Sequence, residues 1–525
     1  MALREVGGMG GVPTSRHLKV CVVGSGPGGF YAVEALQRMA EEVKAKGQAP
    51  EIALDVDIYE RQAVPYGLVR FGVAPDHPEV KAVQHRYDAF MADPRLRFVG
   101  NVSIGSTNSI SQSSSSGAAA LSVEELLGAY DGVVLAAGAQ RDRPLGIEGE
   151  DLPGVYSARE FVAWYNGDPA MRSRQFELSS SREAVVIGQG NVALDVARVL
   201  LHEPGQLAST DMPEYAVDAL RRSQIDTVHI VGRRGPAQAS FTNKEVREIL
   251  NLPGVQCHFL PSGVLALNEA SKAETAKERG KKRMIDLFAA TEKKVRYTLW
   301  KACPASSAFK AENERRGLEC GVCGQAGETK GEPKKNLYFL LSPLRFLANE
   351  KGHVSGIELA RNELQGEAGN QKAVPTHEKE TLECDVVFKS IGYKSEPLEG
   401  VPFDHHRGVV PNEHGRVVRP DGSTVPGLYV SGWMKRGPSG VIGTNRMDAE
   451  ETVASMWADL AATRPGEKPG WRAIQDKLRE RQVAYVDWKQ WKAIEDEEHR
   501  RGQVLGKERE KFTSVPEMLD VAFKQ

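Results

Sequence analysis

Two glycine clusters, and the charged residues that follow each of them, carry the chemistry most easily read from this chain. Gly24-Ser25-Gly26-Pro27-Gly28-Gly29 matches the pattern G-x-G-x-x-G, and Gly188-Gln189-Gly190-Asn191-Val192-Ala193 matches its variant ending in alanine. Between a strand and a helix, such a turn brings backbone close to a pyrophosphate and aims the first N–H groups of the helix at its oxygens. The residue at the end of the following strand then reads the ribose. After the first cluster that residue is Glu60, whose carboxylate suits ribose hydroxyls; after the second it is the pair Arg233 and Arg234. An acid there would repel a 2′-phosphate, whereas guanidiniums bind one through charge-assisted, often bidentate hydrogen bonds. The second cluster is therefore expected to prefer NADP over NAD.

The elements that must position these residues follow from hydrophobic pattern. Residues 17–23 are a short apolar run of buried-strand type before the first cluster, and 30–46 are an alanine-rich stretch of helical spacing after it. Residues 184–187 and 192–201 repeat strand and helix around the second cluster, and the next strands are expected at 56–59 and 227–231. Glu60 stands farther from its glycines than the usual twenty or so residues, which implies a lengthened connection across 41–54. Further strand-like runs ending in small residues occur at 132–138, 385–392 and 427–432. The charge-rich C-terminal region carries Trp471, Trp488 and Trp491, consistent with surface helices packed by one apolar face. Two dinucleotide sites in one chain imply a flavoprotein in which FAD stays bound while NADPH comes and goes with its hydride.

Composition bounds the alternatives. A chain of 525 residues is long enough for two to four domains, and 41% hydrophobic with 26% charged residues describes a globular enzyme rather than a disordered or collagenous chain. No apolar run approaches the roughly 18 residues of a membrane span, so no transmembrane segment is expected. A formal charge of -2 argues against a whole-surface nucleic-acid or anionic-membrane binder and leaves room for a local basic patch. Six scattered cysteines make no secreted disulfide framework, which favours a reducing compartment. Residues 1–16 read as a disordered leader or presequence remnant, with Arg4 and Arg16 but no secretory apolar core.

Beyond the glycines, longer ordered stretches carry a resemblance. Residues 64–78 (VPYGLVRFGVAPDHP), 188–198, 231–236 (VGRRGP) and 431–442 (SGWMKRGPSGVI) are similar to those of the adrenodoxin reductase family of mitochondrial NADPH:ferredoxin oxidoreductases, and the likeness runs from Lys19 almost to the C-terminus. It implies an α/β disulfide-reductase-like flavoprotein with two Rossmann-like dinucleotide-binding domains. The FAD domain would be discontinuous, 17–138 plus 394–525, with the NADP domain, 139–393, inserted. Carried over by position, FAD contacts fall on Gly24, Gly26, Gly28, Glu60, Leu68, Ile104, Trp433, Gly440, Val441 and Ile442. NADP contacts fall on Gln189, Gly190, Asn191, Val192, Arg233, Arg234 and Glu245, with Trp433 and Gly440 near the nicotinamide. His77 and Asp195 resemble a pair near the flavin–nicotinamide region; His77 as a cap of a proline-flanked turn is the competing reading, because hydride transfer needs no protein acid or base.

The resemblance also implies an acidic iron–sulfur ferredoxin as partner, docking on Arg247, Arg279 and Arg283, and a place in the mitochondrial matrix that allows peripheral association with the inner membrane. Those arginines neighbour a crowd of cations that includes Lys272, Lys277, Lys281, Lys282, Lys293, Lys294 and Arg296, which a solvated helix face would equally explain. Gly443-Thr444-Asn445-Arg446 departs from the animal pattern. A serine-rich stretch, 103–120, and the segment 303–335 look like insertions. In the latter, Cys320 and Cys323 with Cys303 have metal-ligand spacing but no fourth ligand, so no metal is expected. Two rival functions remain open: a flavoprotein that reduces a flavodoxin, a quinone or an amidotransferase-type partner subunit, and a nucleotide-sensing protein without useful turnover.

Overall fold

The computed structural model describes residues 15–46, 51–105, 121–302, 333–462 and 467–524. The chain divides into two units, one built from Met1–Arg143, Asn166–Arg172 and Gly392–Gln525, the other from Pro144–Tyr165 and Ser173–Ile391.

In the first unit the apolar run around Val20-Cys21-Val22-Val23 lies in the Ser15–Val23 strand, fully buried because neighbours cover both faces. It pairs in parallel with Glu51–Tyr59 on one side, in the register Val23 to Tyr59, and with Gly132–Leu135 on the other, Val23 to Leu135. Leu96–Val99 extends the first side; Thr424–Val430 extends the second, followed by two short antiparallel strands, Arg416–Val418 and Asn412–Glu413. The chain thus fills one side first and then returns to the other, which opens a crevice at the carboxyl end of the first strand, where Gly24 lies. Helix Pro27–Lys46 covers the sheet through Phe30, Val33 and Leu36 and packs against helix Thr444–Ala462 from the far end of the sequence. Each such fully buried large side chain contributes about 1.5–3 kcal/mol relative to exposure.

The second unit repeats the plan. Its six parallel strands run in the order Val155–Ser157, Val386–Lys389, Glu183–Ile187, Thr227–Val231, Lys334–Tyr338 and Gln256–Leu260. Glu183–Ile187 is flanked by partners reached in opposite directions, so Gly188 also stands at a switch point. A three-stranded antiparallel sheet, Leu341–Ala348, Val354–Gln365 and Lys372–Glu383, completes it.

Four features differ from the sequence expectation. The extra length before Glu60 is not a connection across 41–54: the helix continues to Lys46, as its spacing implied, and the strand begins at Glu51 rather than 56. Ser103 and Gly105 are not insertion: Gly105 N–H donates to Leu121 O, and Leu121 N–H to Ser103 O, so Ile104 and Leu121 are bridged in the framework. Lys334 and Lys335, placed in an insertion, open a central strand that pairs on both sides. Residues 166–172 cluster with the first unit although both flanks belong to the second. The remaining parts of the two insertions, including Cys303, Cys320 and Cys323, lie outside the described residues, as does nearly all of the leader.

Candidate functional site

The first glycine cluster is shaped by its neighbours. Gly24 has φ of +109°, its N–H donates to Tyr59 O at 2.7 Å, and a Cβ there would lie 2.5 Å from Ala136 O, so only glycine makes this turn. Three distant segments converge on the helix start: a Cβ on Gly28 would lie 3.3 Å from Gly432 Cα, and one on Gly67 would lie 3.1 Å from Gly26 Cα. Tyr66, at φ of +84°, holds Gly67 in place; its N–H donates to Ser25 O at 3.0 Å and its buried hydroxyl donates to Asp88 and accepts from Trp491 Nε1. Burial, with Asp88 alongside, pushes that hydroxyl's pKa up and keeps it protonated. A strained non-glycine residue persists only where its surroundings over-determine it, as these contacts do.

Glu60 ends the second strand as expected. Its Oε2 accepts from Ser25 N–H at 3.0 Å and from the Ser25 hydroxyl at 2.8 Å, and Oε1 accepts from Gln62 N–H at 3.0 Å. An ionised carboxylate has about four acceptor sites, so capacity remains for a ribose diol. From the C-terminal part, Gly432 N–H donates to Asp448 Oδ2 at 2.5 Å, and Lys435 Nζ lies 2.9 Å from Asp448 Oδ1. Ser431 Oγ is fully buried without a hydrogen-bond partner. Leu68 is 40% exposed and Val441 58% exposed, an unusual state for large apolar side chains beside a glycine turn. Trp433 stacks obliquely on Tyr393, Gly440 turns at φ of +80°, Ile442 is partly buried on the main core, and Ile104 packs on the adjoining one. An orphaned hydroxyl, two uncovered apolar side chains and a helix N-terminus in one unit fit a bound flavin dinucleotide.

The second unit uses the same backbone device with different side chains. Gly188 has φ of +146° and a Cβ there would lie 2.1 Å from Ser390 O, whereas a Cβ on Gly190 would meet nothing within 4 Å. Open space therefore faces the start of helix Asn191–Leu201. Gln189 O accepts from Ser240 N–H at 2.8 Å, Gln189 Nε2 donates to Arg234 O at 3.4 Å, and Asn191 Oδ1 accepts from Thr242 N–H at 2.8 Å, tying the turn to the chain beyond the arginines. Arg233 is exposed and Arg234 half-buried; their backbone carbonyls are engaged by Asn362 and Leu340, yet neither guanidinium makes an ion pair among the described residues. Two unpaired guanidiniums at this strand end fit a 2′-phosphate.

Asp195 and Glu245 meet through a residue that sequence reasoning missed. The buried Arg198 places Nη2 3.0 Å from Asp195 and Nη1 3.4 Å from Glu245 and 3.5 Å from Glu248. It stands one helical turn after Asp195, the i, i+3 spacing that could have revealed it. His77 belongs to the first unit, buried at the start of the short helix Pro78–Lys81, with its N–H donating to Ala74 O. Ser25, Tyr66 and Asp448 were also missed; only Pro65-Tyr66-Gly67, a turn-type triplet, carried a local signal.

The basic segment separates into two kinds of cation. Lys272, Lys281 and Lys282 are held by Glu269, by Glu274 and Glu278, and by Asp286 respectively. Arg247, on helix Asn243–Leu250, and Arg279 and Arg283, on helix Arg279–Ala302, are exposed and make no ion pair among the described residues. The two helices pack on one another, and Asn243 Nδ2 donates to Gly280 O at 3.0 Å. Cys21, Cys257 and Cys384 are buried free thiols; burial pushes Cys257 and Cys384 up to about 12, which makes them poor nucleophiles.

Comparison with known proteins agrees with this geometry. Residues 18–290 match the family described as pyridine nucleotide-disulphide oxidoreductase. The chain is 40% identical over 517 residues to the mitochondrial NADPH:adrenodoxin oxidoreductase of Arabidopsis thaliana, covering 97% of this chain and 96% of the relative. It is 43% identical over 505 residues to the mouse (Mus musculus) protein of the same name, with 95% and 91% covered. The NADPH-ferredoxin reductase FprA of Mycobacterium leprae is 37% identical over 506 residues, with 96% and 98% covered. Among solved structures, Mycobacterium tuberculosis FprA in complex with NADPH superposes with a TM-score of 0.80 at 35% identity, covering 97% of this chain and all of that one.

Proposed function

Because the chain belongs to the NADPH:adrenodoxin oxidoreductase family, we propose that it oxidises NADPH by way of a non-covalently held FAD and delivers electrons singly to an acidic iron–sulfur ferredoxin. The observation that carries this reading is the pair of unlike strand ends in one chain: a carboxylate held ready for ribose hydroxyls at Glu60, and two unpaired guanidiniums at Arg233 and Arg234. FAD, when bound, supplies the conversion of a two-electron donor into one-electron steps; the chain supplies binding, orientation and electrostatics.

In the first unit, the backbones of Gly24, Gly26 and Gly28 would face the FAD pyrophosphate, and Glu60 the adenosine ribose. Leu68, Ile104, Val441 and Ile442 would cover the ring system together with Trp433 and Gly440. In the second, Gln189, Gly190, Asn191 and Val192 would hold the NADPH pyrophosphate at the helix N-terminus, Arg233 and Arg234 the 2′-phosphate, and Glu245 a neighbouring hydroxyl. Two-electron reduction also takes up a proton, and His77 and Asp195 are the groups assigned to move it. Arg247, Arg279 and Arg283 would receive the carboxylates of ferredoxin, since only unpaired surface charge projects a field that steers an acidic partner.

Mitochondrial relatives support placement in the mitochondrial matrix. Among the described residues no helix is long and apolar enough to cross a membrane, so any membrane association is peripheral in this reading. The deciding experiment is steady-state NADPH oxidation by the FAD-loaded protein with an added acidic [2Fe–2S] ferredoxin and cytochrome c as terminal acceptor. Sustained ferredoxin-dependent turnover is expected. Turnover that ignores ferredoxin and follows an added quinone or flavodoxin instead would overturn the assignment of acceptor, and no turnover with any acceptor would point to nucleotide sensing.

A further inference from the structure

One guanidinium holds both limbs of the loop that carries Gly440, Val441 and Ile442. Arg436 closes the short helix Trp433–Arg436, and its side chain is mostly buried. Its Nη1 donates to Ser439 O and, at 3.2 Å, to Ser439 Oγ on the outgoing limb. Its Nη2 donates to Thr444 Oγ1 at 3.1 Å and to Asn445 Oδ1 at 3.0 Å on the returning limb. Thr444 and Asn445 belong to the tract that departs from the animal pattern. A planar fork of several donors can span two limbs in this way, whereas a lysine ammonium is a single point on a flexible stem.

The same two acceptor residues decide which backbone groups the loop presents. Val441 O accepts from the Thr444 N–H at 3.0 Å and from the Thr444 hydroxyl at 2.6 Å. Ile442 O accepts from the Asn445 N–H at 3.1 Å and from Asn445 Nδ2 at 3.0 Å. The residues that Arg436 grips therefore draw the loop carbonyls inward. The N–H groups of Gly440, Val441 and Ile442 make no hydrogen bond among the described residues, and the Val441 side chain is exposed. The turn has no slack: Gly440 has φ of +80°, and a Cβ there would lie 2.4 Å from Thr444 Oγ1. Lys435, the neighbouring cation, is committed to helix Thr444–Ala462 through Asp448 at 2.9 Å and Glu451 at 2.7 Å. It anchors that helix and leaves the loop to Arg436.

We propose that Arg436 is a positioning residue for hydride transfer: by latching Ser439 to Thr444 and Asn445 it fixes loop 437–443, so that Gly440, Val441 and Ile442 meet the flavin ring in the geometry that transfer requires. The proposal rests on the assignment of FAD to the first unit with NADPH as its donor, and the test keeps the two apart.

The FAD-loaded wild-type protein is compared with Arg436→Ala and Arg436→Lys. Hydrogen–deuterium exchange in Arg436→Ala is expected to quicken severalfold in peptides covering 437–446 and to stay unchanged at 24–29. On rapid mixing with NADPH, flavin reduction should slow about ten- to a hundredfold in both variants, the loss that an ångström-scale misplacement brings. The NADPH concentration for half-saturation should change little, since the coenzyme is assigned to Arg233 and Arg234. Free guanidinium, well below its denaturing range, should restore much of the rate in Arg436→Ala, and methylammonium should not. If Arg436→Ala loses FAD or fails to fold, Thr444→Val, which removes one acceptor at an exposed position, should slow reduction about three- to tenfold at an unchanged melting transition. Unchanged loop exchange in Arg436→Ala would overturn the proposal, as would a wild-type rate of flavin reduction in any of these variants when folded. A wild-type flavin that NADPH does not reduce faults the coenzyme assignment instead, and the exchange result still decides whether Arg436 holds the loop.

Discussion

The two glycine turns share one backbone device and differ in how the side chains proposed to read the riboses are kept. In the first unit Glu60 is clasped by the N–H and hydroxyl of Ser25 and by Gln62, a local network that exists without any ligand. In the second, Arg233 and Arg234 are held only by their backbone carbonyls, and the guanidiniums stay unpaired among the described residues. A pre-satisfied, half-buried reader suits a ligand that remains; an unpaired, partly exposed one suits a ligand that comes and goes. Buried charge is paired in both units, Arg70 with Glu498 at 2.5 Å in the first and Arg198 with Asp195 at 3.0 Å in the second, but the second also buries Lys335, whose Nζ donates to the Val255 carbonyl at 3.3 Å and makes no ion pair among the described residues.

The comparison breaks most severely at Gly188. Gly188→Ala adds a Cβ at 2.1 Å from Ser390 O and a φ of +146°, and should destabilise the second unit by at least about 4 kcal/mol, visible as a lost or strongly lowered melting transition. Gly190→Ala faces open space in an extended conformation. It should fold within about 1 kcal/mol of wild type and instead weaken NADPH binding. If both variants fold equally well, the turn is not built as described.

Coenzyme choice comes next. Each charge-assisted hydrogen bond contributes about 1.5–3 kcal/mol net, and about 1.4 kcal/mol is tenfold. Replacing Arg233 and Arg234 together with alanine should weaken NADPH by roughly two to three orders of magnitude, change NADH use little, and leave flavin content intact. A proportionate loss with NADH would assign the pair to the pyrophosphate or the fold.

A smaller effect is expected at the helices proposed to dock ferredoxin. Reversing Arg247, Arg279 and Arg283 to glutamate should raise the apparent ferredoxin KM roughly tenfold with NADPH-to-ferricyanide turnover nearly unchanged. Added salt should imitate the substitution, since screening shortens electrostatic reach to about 8 Å at physiological ionic strength. The same triple change at Lys272, Lys281 and Lys282, already paired with acids, should do less.

The mildest prediction concerns Lys335, whose pKa burial pulls down to about 8 from an ordinary 10.5. The unfolded chain then holds this proton more firmly between those two values, so stability should rise as pH climbs from about 8 to 10.5. Lys335→Met should stabilise the protein by about 1–3 kcal/mol at pH 7, with the gain shrinking across the same window in denaturant melts. A destabilised variant would mean that Lys335 is better compensated than its surroundings indicate.

Legibility in the sequence followed the range of the physics. Strand–turn–helix around each glycine cluster, and the contrast between Glu60 and Arg233-Arg234, are local patterns set within a few tens of residues and were readable directly. The helix was readable to Lys46, but the strand after it was expected only from 56 because Asp55 and Asp57 interrupt its apolar run, whereas it begins at Glu51. Lys334-Lys335 looked like insertion because two lysines do not resemble a central strand, although Lys335 is buried there. The contacts of Gly28 with Gly432 and of Gly432 with Asp448 join residues hundreds of positions apart or opposite sides of a turn, and no periodicity encodes them. The resemblance to a family supplied the residues at 431–442; spacing alone would not have.

The central claim, that the exchanging dinucleotide is NADPH and that it sits on the second turn, is tested most directly by hydrogen–deuterium exchange of the FAD-loaded protein with and without saturating NADP+. Added protection is expected in peptides spanning 188–192 and 232–235, with peptides spanning 24–29 unchanged because their ligand is already in place. Protection that appears at 24–29 and leaves 188–192 and 232–235 unaltered would contradict the account.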